Sequence, residues 1–148
     1  MTRSELTAKI REAKRKKGLS WQAIAKAVGG NSPLFVTTAL LGQMTLQPAQ
    51  AAKAAKLLGL GADEAALLAE VPYRGSLPTA IPTDPLIYRL YELMQVYGTS
   101  LKALIEEEFG DGIMSAIDFD MEMRRKRDPK GDRVEIVMSG KFLPYKRY

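Results

Sequence analysis

The sequence predicts a mainly α-helical protein with a small β part: a five-helix N-terminal domain followed by a C-terminal domain of helix and hairpin. Three observations carry that prediction. Apolar residues recur at helical spacing from Leu6 to Leu68, broken by helix caps and glycines. The stretch from Pro72 to Pro82 holds three prolines, a glycine and the hydroxyl residues Ser76 and Thr79, which suits an extended connector. Beyond Ile117 the apolar period shortens from 3.6 to 2, the mark of a strand. Domains at residues 1–72 and 83–148, joined by a connector at 73–82, are therefore expected.

Element by element, Ser4 is placed to cap a first helix carrying Leu6, Ile10 and Ala13 on one face. Its C-terminal half is crowded with Arg11, Lys14, Arg15, Lys16 and Lys17, where cations suit the helix dipole, and Gly18 ends it. Ser20 caps a second helix with Trp21, Ile24, Ala25 and Val28 at helical spacing before Gly29-Gly30. Ser32-Pro33 opens a third, with proline in the first turn, where its missing N–H costs nothing; it ends near Gly42. Pro48 opens an alanine-rich fourth helix closing at Gly59, and Asp63 starts a fifth that ends before Pro72. Asp84-Pro85 begins a helix expected to stop at Gly98. Another, capped by Thr99 or Ser100, carries Leu101, Leu104, Ile105 and Phe109 up to Gly110. After Asp111-Gly112 and the short apolar run Ile113–Ile117, Phe119, Met121 and Met123 alternate with acids. Val134, Ile136 and Met138 alternate likewise beyond the turn Asp128-Pro129-Lys130-Gly131-Asp132, a β-hairpin by pattern and turn chemistry. A lone two-stranded hairpin is barely stable in water, so it is expected to pack on a helix or pair with another chain.

Two absences restrict the chemistry. Among its 148 residues the chain has neither Cys nor His. Thiolate nucleophiles, Ser–His–Asp machinery and the commonest transition-metal ligand are therefore excluded, and any metal site would be all oxygen. Asp118, Asp120 and Glu122 alternate along a strand with no loop cage around them, so no metal site is expected there. The N-terminus leads into a charged segment and not an apolar run. The longest uncharged stretch, Ala27–Ala52, is too rich in Gly, Thr, Asn and Gln to span a membrane, so a cytoplasmic protein without membrane contact is expected. The net charge of +5 is uneven: +5 over residues 1–20, −6 over 21–123 and +6 over 124–148. Such asymmetry serves either a polyanionic partner or contacts within the fold and between subunits, and the second is favoured.

The segment Ser20–Gly29, followed by Ser32 and Val36, resembles the helix-turn-helix of phage-repressor-type domains, which makes the N-terminal domain repressor-like and DNA binding the rival function. Base readout needs Arg, Lys, Asn or Gln near the start of the second helix. Here that helix reads Pro33-Leu34-Phe35-Val36-Thr37-Thr38-Ala39-Leu40-Leu41, without a charge or a long polar side chain. The motif reads as a structural use of that fold, with no specific nucleic acid as partner.

A longer motif lies downstream. Ile81-Pro82-Thr83-Asp84-Pro85-Leu86-Ile87-Tyr88-Arg89-Leu90-Tyr91-Glu92-Leu93-Met94-Gln95-Val96-Tyr97-Gly98-Thr99 closely resembles the signature of the cyanase (cyanate hydratase) family. The likeness continues through Phe109–Ile117 and Gly140-Lys141-Phe142-Leu143-Pro144, and upstream in Phe35–Gln43. The resemblance implies bicarbonate-dependent decomposition of cyanate to ammonia and carbon dioxide through carbamate. It implies bicarbonate as co-substrate with no cofactor or metal, and a C-terminal domain that serves both catalysis and dimerisation. It also implies a homodecamer of interlocked dimers with sites between subunits. Matched residue by residue, the motif puts the family's catalytic arginine at Arg89, its glutamate at Glu92 and its serine at Ser115.

The residue types suit that chemistry. Joining two small anions builds dianionic character, and arginine supplies a permanent charge with a planar fork of donors. Ser115 offers a hydroxyl, and nearby backbone N–H groups stand as further donors aimed at developing charge. Arg89 and Glu92, three apart on a helix, share a face, so Glu92 is cast to orient Arg89 and handle a proton. By spacing alone the same pair is an ordinary solvated ion pair and Ser115 a turn residue; the surrounding motif reverses that weighting. Tyr88, Tyr91 and Tyr97 are read as packing residues. A catalytically silent scaffold of the same fold remains the third alternative.

Overall fold

The computed structural model describes residues 1–30, 32–75, 77 and 79–147; Ser76 and Pro78 of the expected connector, with Asn31 and Tyr148, lie outside the described residues. Among the described residues the chain forms α1 (Arg3–Lys16), α2 (Trp21–Val28), α3 (Pro33–Leu40), α4 (Pro48–Leu58), α5 (Ala62–Ala69), α6 (Pro85–Phe109) and a hairpin of β1 (Gly112–Lys126) and β2 (Arg133–Pro144). It divides into two compact units: Met1–Ser76 with Met121–Ile136, and Leu77–Asp120 with Val137–Tyr148. The outer part of the hairpin thus groups with the N-terminal helices, and its base with α6.

The core belongs to the helical unit. Leu6 and Ile10 of α1, Ile24 and Val28 of α2, Val36 and Leu40 of α3, Ala54 and Leu58 of α4 and Leu68 of α5 are all buried. These are the residues that helical spacing predicts for the inward faces. Ser20 caps α2 by accepting from the Ala23 N–H at 3.0 Å, and Ser32 caps α3 ahead of Pro33, both as expected. The cap of α1 is Thr2 and not Ser4. Thr2 accepts from the Glu5 N–H at 3.2 Å, and Glu5 accepts from the Thr2 N–H at 2.6 Å, a reciprocal box that Ser4 cannot form because Thr7 stands three residues on. At the C-terminus of α4, Gly59 sits at φ 73°, a left-handed conformation that any side chain would strain.

Arg3 fastens the unit together. Its guanidinium donates to the Leu67 carbonyl and, at 2.8 Å, to that of Met44, while the carbonyls of Ala39 and Leu68 lie at 3.5 Å. One planar fork therefore ties α1 to the C-terminal ends of α3 and α5 and to the loop carbonyl of Met44.

The second unit departs from expectation in two places. The helix expected to stop at Gly98 continues to Phe109, giving one helix of 25 residues. A helical glycine costs about 1 kcal/mol relative to alanine and lacks the steric veto of proline. Leu101, Lys102, Ala103 and Leu104 then carry the helix onward. β1 also begins at Gly112, well before the alternating sequence, so Ser115 lies in a strand and not in a loop after a turn. The reason is local: the Ser115 hydroxyl accepts from the N–H groups of Ile117 and Asp118, at 3.0 and 2.9 Å, and this turn inside the strand delays the in–out alternation until Phe119.

Candidate active site

Asp84 starts the construction. Its carboxylate accepts from the N–H groups of Leu86 at 2.9 Å and Ile87 at 3.0 Å, and Pro85 occupies the first helical position. This cap fixes the first turn of α6, so positions 89 and 92 fall on one face one turn apart. Arg89 donates to the Glu92 carboxylate there, and its side chain is 67% exposed. On the adjoining face the rings of Tyr88 and Tyr91 pack against each other, their centroids 6.1 Å apart. At the far end Gly110, at φ 87°, closes the helix by donating to the Glu106 carbonyl.

Ser115 is the opposite case. It is 5% exposed, the one buried polar residue among those described in the second unit, on a strand whose neighbours are mostly exposed. Its oxygen accepts two backbone N–H bonds, which fills both lone pairs and leaves the hydroxyl proton as the group it can offer. Of the backbone N–H groups near Ser115, those of Ile117 and Asp118 are spent on this oxygen. Among the described residues no hydrogen bond joins Ser115 to Arg89 or Glu92. The structure brings Arg89 and Glu92 together and leaves Ser115 bonded to its own strand. What sequence reasoning missed was this local bonding, for which a serine two and three residues ahead of the donating amides is the signal.

The helix-turn-helix likeness ends in a packed surface. The Ser32 hydroxyl donates to the Met121 carbonyl at 3.1 Å, and Glu122 and Met123 with Trp21, Ser32 and Leu34 border a cavity of about 410 Å³. The start of α3, where a DNA reader presents its side chains, faces the protein's own hairpin. Among the described residues no three Asp or Glu gather closely enough to hold a metal ion, and no helix is long and apolar enough to cross a membrane.

Residues 3–72 match the family model described as cyanate hydratase, N-terminal, and residues 79–147 match the cyanate lyase C-terminal domain. The chain belongs to the cyanate hydratase family. It is 60% identical to a cyanate hydratase of Thiobacillus denitrificans and 61% identical to one of Ralstonia pickettii, each over 148 residues and the whole of both chains. The crystal structure of cyanase from T. urticae superposes with a TM-score of 0.80 at 39% identity, covering 94% of this chain and 96% of that one. The mainly helical architecture with its hairpin is thus that of a cyanate hydratase, and both the repressor-like half and the α6–hairpin half fall within the family. A DNA-binding identity is set aside by the same full-length match.

Proposed function

We propose that the protein is a cyanate hydratase acting on cyanate with bicarbonate as co-substrate, without a metal or organic cofactor, and that Arg89, Glu92 and Ser115 carry the reaction. The observation that carries this reading is the match over the full length to relatives named cyanate hydratase. An oxygen of bicarbonate bonds to the cyanate carbon, and the nitrogen takes two protons, the bicarbonate's own and one from the site. The bond from that oxygen to the bicarbonate carbon then breaks, releasing carbon dioxide and leaving carbamate. Carbamate takes up a further proton and splits into ammonia and a second carbon dioxide.

The adduct of two anions is dianionic, so a fixed cation and fixed donors favour it over the separate reactants. Arg89 supplies the cation, oriented by Glu92, and Ser115 supplies a hydroxyl proton whose oxygen is already held. Glu92 is also the carboxylate placed to pass a proton toward the nitrogen. A residue as covered as Ser115 meets only small ligands, which suits both substrates. The work is divided between a helical domain, residues 1–72, that supports, and residues 83–148 that catalyse and assemble.

Assembly into a homodecamer of interlocked dimers with sites between subunits belongs to the same reading. Support comes from the apolar surface that one chain leaves open on α6 and the hairpin, including Leu86, Leu93, Leu104, Phe109, Ile113 and Ile117. A patch of that kind marks a protein–protein contact. A cytoplasmic setting, where small anions are at hand, completes the proposal.

The test is ammonia release from cyanate with and without bicarbonate. Turnover that requires bicarbonate is expected. Equal rates in buffer freed of carbon dioxide would remove the mechanism, and no turnover in either would remove the function.

A further inference from the structure

We infer that Gly140 is a positioning residue for the Ser115 hydroxyl, an inference that rests on the reading of Ser115 as a site residue. Gly140 lies in β2, and the hairpin at this point leaves no room for any side chain. A Cβ built on Gly140 overlaps the carbonyl oxygen of Ser115, stands 2.6 Å from Met114 Cγ and 3.3 Å from Phe119 Cδ2. The methionine is flexible and can yield. The Ser115 oxygen is backbone and cannot move without moving the peptide that carries the serine.

The same serine is held from its other side. Its Oγ accepts from the Ile117 and Asp118 N–H groups at 3.0 and 2.9 Å, which needs the turn at 115–118 to keep its shape. Both restraints act on one short segment: glycine lets β2 lie against the Ser115 carbonyl, and the two amides hold the oxygen so that only its proton is left to offer. Adding a methyl at 140 pushes the Ser115 peptide away from β2 and tilts the hydroxyl. A donor aimed at charge that develops only along the reaction loses its effect with a small displacement, so the loss falls on kcat and not on KM.

Gly112 separates this role from plain crowding. A Cβ there is equally obstructed, by the Leu143 carbonyl, Phe142 Cζ at 2.5 Å and Pro144 Cα at 2.9 Å, but none of these atoms belongs to Ser115. The experiment compares Gly140→Ala, Gly112→Ala, Ser115→Ala and the Gly140→Ala/Ser115→Ala double variant as purified full-length protein. Circular dichroism and thermal midpoints are recorded beside steady-state kinetics in cyanate and bicarbonate.

Gly140→Ala is expected to keep its secondary structure and KM values within about twofold while kcat falls at least about tenfold. Gly112→Ala should lower the thermal midpoint with kcat nearly kept. On the Ser115→Ala background the Gly140 change should cost less than about twofold, because the group it acts through is gone. The inference is overturned by a kcat near that of the parent, by an equal loss on both backgrounds, by Gly112→Ala matching the kcat loss, or by a Gly140→Ala chain that does not fold. In that last case the glycine serves the hairpin as a whole. A parent protein that releases no ammonia instead removes the functional reading on which the inference rests.

Discussion

The Arg89 guanidinium is two-thirds exposed and bonded to a carboxylate one turn away on the same helix. On most helix surfaces such a pair contributes roughly 0.2–0.5 kcal/mol, so its geometry alone distinguishes it from Lys102–Glu106, farther along α6, by nothing but position. Chemistry separates them. If Arg89 holds an anionic adduct through its planar fork, lysine is a poor replacement, because a point charge cannot make two parallel bonds. Arg89→Lys is expected to lower kcat by about a hundredfold, the usual loss for one donor aimed at developing charge. Lys102→Arg should leave turnover unchanged in the same assay. Glu64 offers a residue-scale test of the fold. Its carboxylate accepts from Lys9 Nζ at 2.5 Å and from the Gly61 N–H at 2.6 Å, and these bonds hold its pKa below the ordinary 4.5. A depressed carboxylate adds stability that is complete above its unfolded value and is lost as pH falls through the folded one. Glu64→Gln keeps the shape and an acceptor but loses the charge. Its thermal midpoint should lie below the parent's at neutral pH and converge on it once the pH is below the carboxylate range. Little of this was legible in the sequence: Lys9 and Glu64 are 55 residues apart, and only the packing of α1 beside α5 brings them together.

The elements are legible where a cap, a stop and an apolar face agree, as in α2 with Ser20, Gly29 and the spacing of Trp21, Ile24, Ala25 and Val28. They were misread where one signal stood alone. Gly98 looked like the end of a helix because glycine is a common stop, yet the apolar period runs through it from Tyr97 to Leu101 and Leu104 without a change of phase. A Cβ at Gly98 meets nothing within 4 Å in the chain. Gly98→Ala is therefore expected to stabilise the helix by about 0.5–1 kcal/mol, seen as a higher midpoint in urea or heat. A lower midpoint with loss of assembly would show that a second chain packs against that glycine. β1 was misread for a different reason. Its first residues keep the backbone of a strand but lose the alternation at Ser115, so a method that reads period sees the strand only from Phe119 onward. The candidate site was legible as a motif, and its geometry was not, since sequence spacing says nothing of which amides the Ser115 oxygen collects.

On the scale of the whole molecule the two units are built on different terms. The helical unit buries its own apolar residues, whereas α6 has no buried residue and Ile117 of β1 is 98% exposed. A 25-residue helix with so many exposed apolar side chains, together with the exposed apolar residues of β1, is a surface that awaits a partner. The charge pattern, basic at both ends and acidic between, supplies complementary ground for copies of one chain. If the site is completed by a second subunit, Arg89 and Ser115 need not come from the same chain, and that separates a shared site from one built within a single chain. Arg89→Ala and Ser115→Ala should each be nearly inactive, since each removes a donor from the developing dianion. When the two are co-expressed at equal levels, roughly a quarter of shared sites should draw an intact Arg89 from one chain and an intact Ser115 from another. Activity near that fraction of the parent is expected, with mixing verified by mass spectrometry of the intact assembly. A site contained within one chain regains nothing on mixing, because every chain then carries a lesion. Where one intact copy of each residue suffices for a site, verified mixed assemblies as inactive as their parents would thus place Arg89 and Ser115 in one chain, and the exposed face of α6 would be left with assembly as its only role.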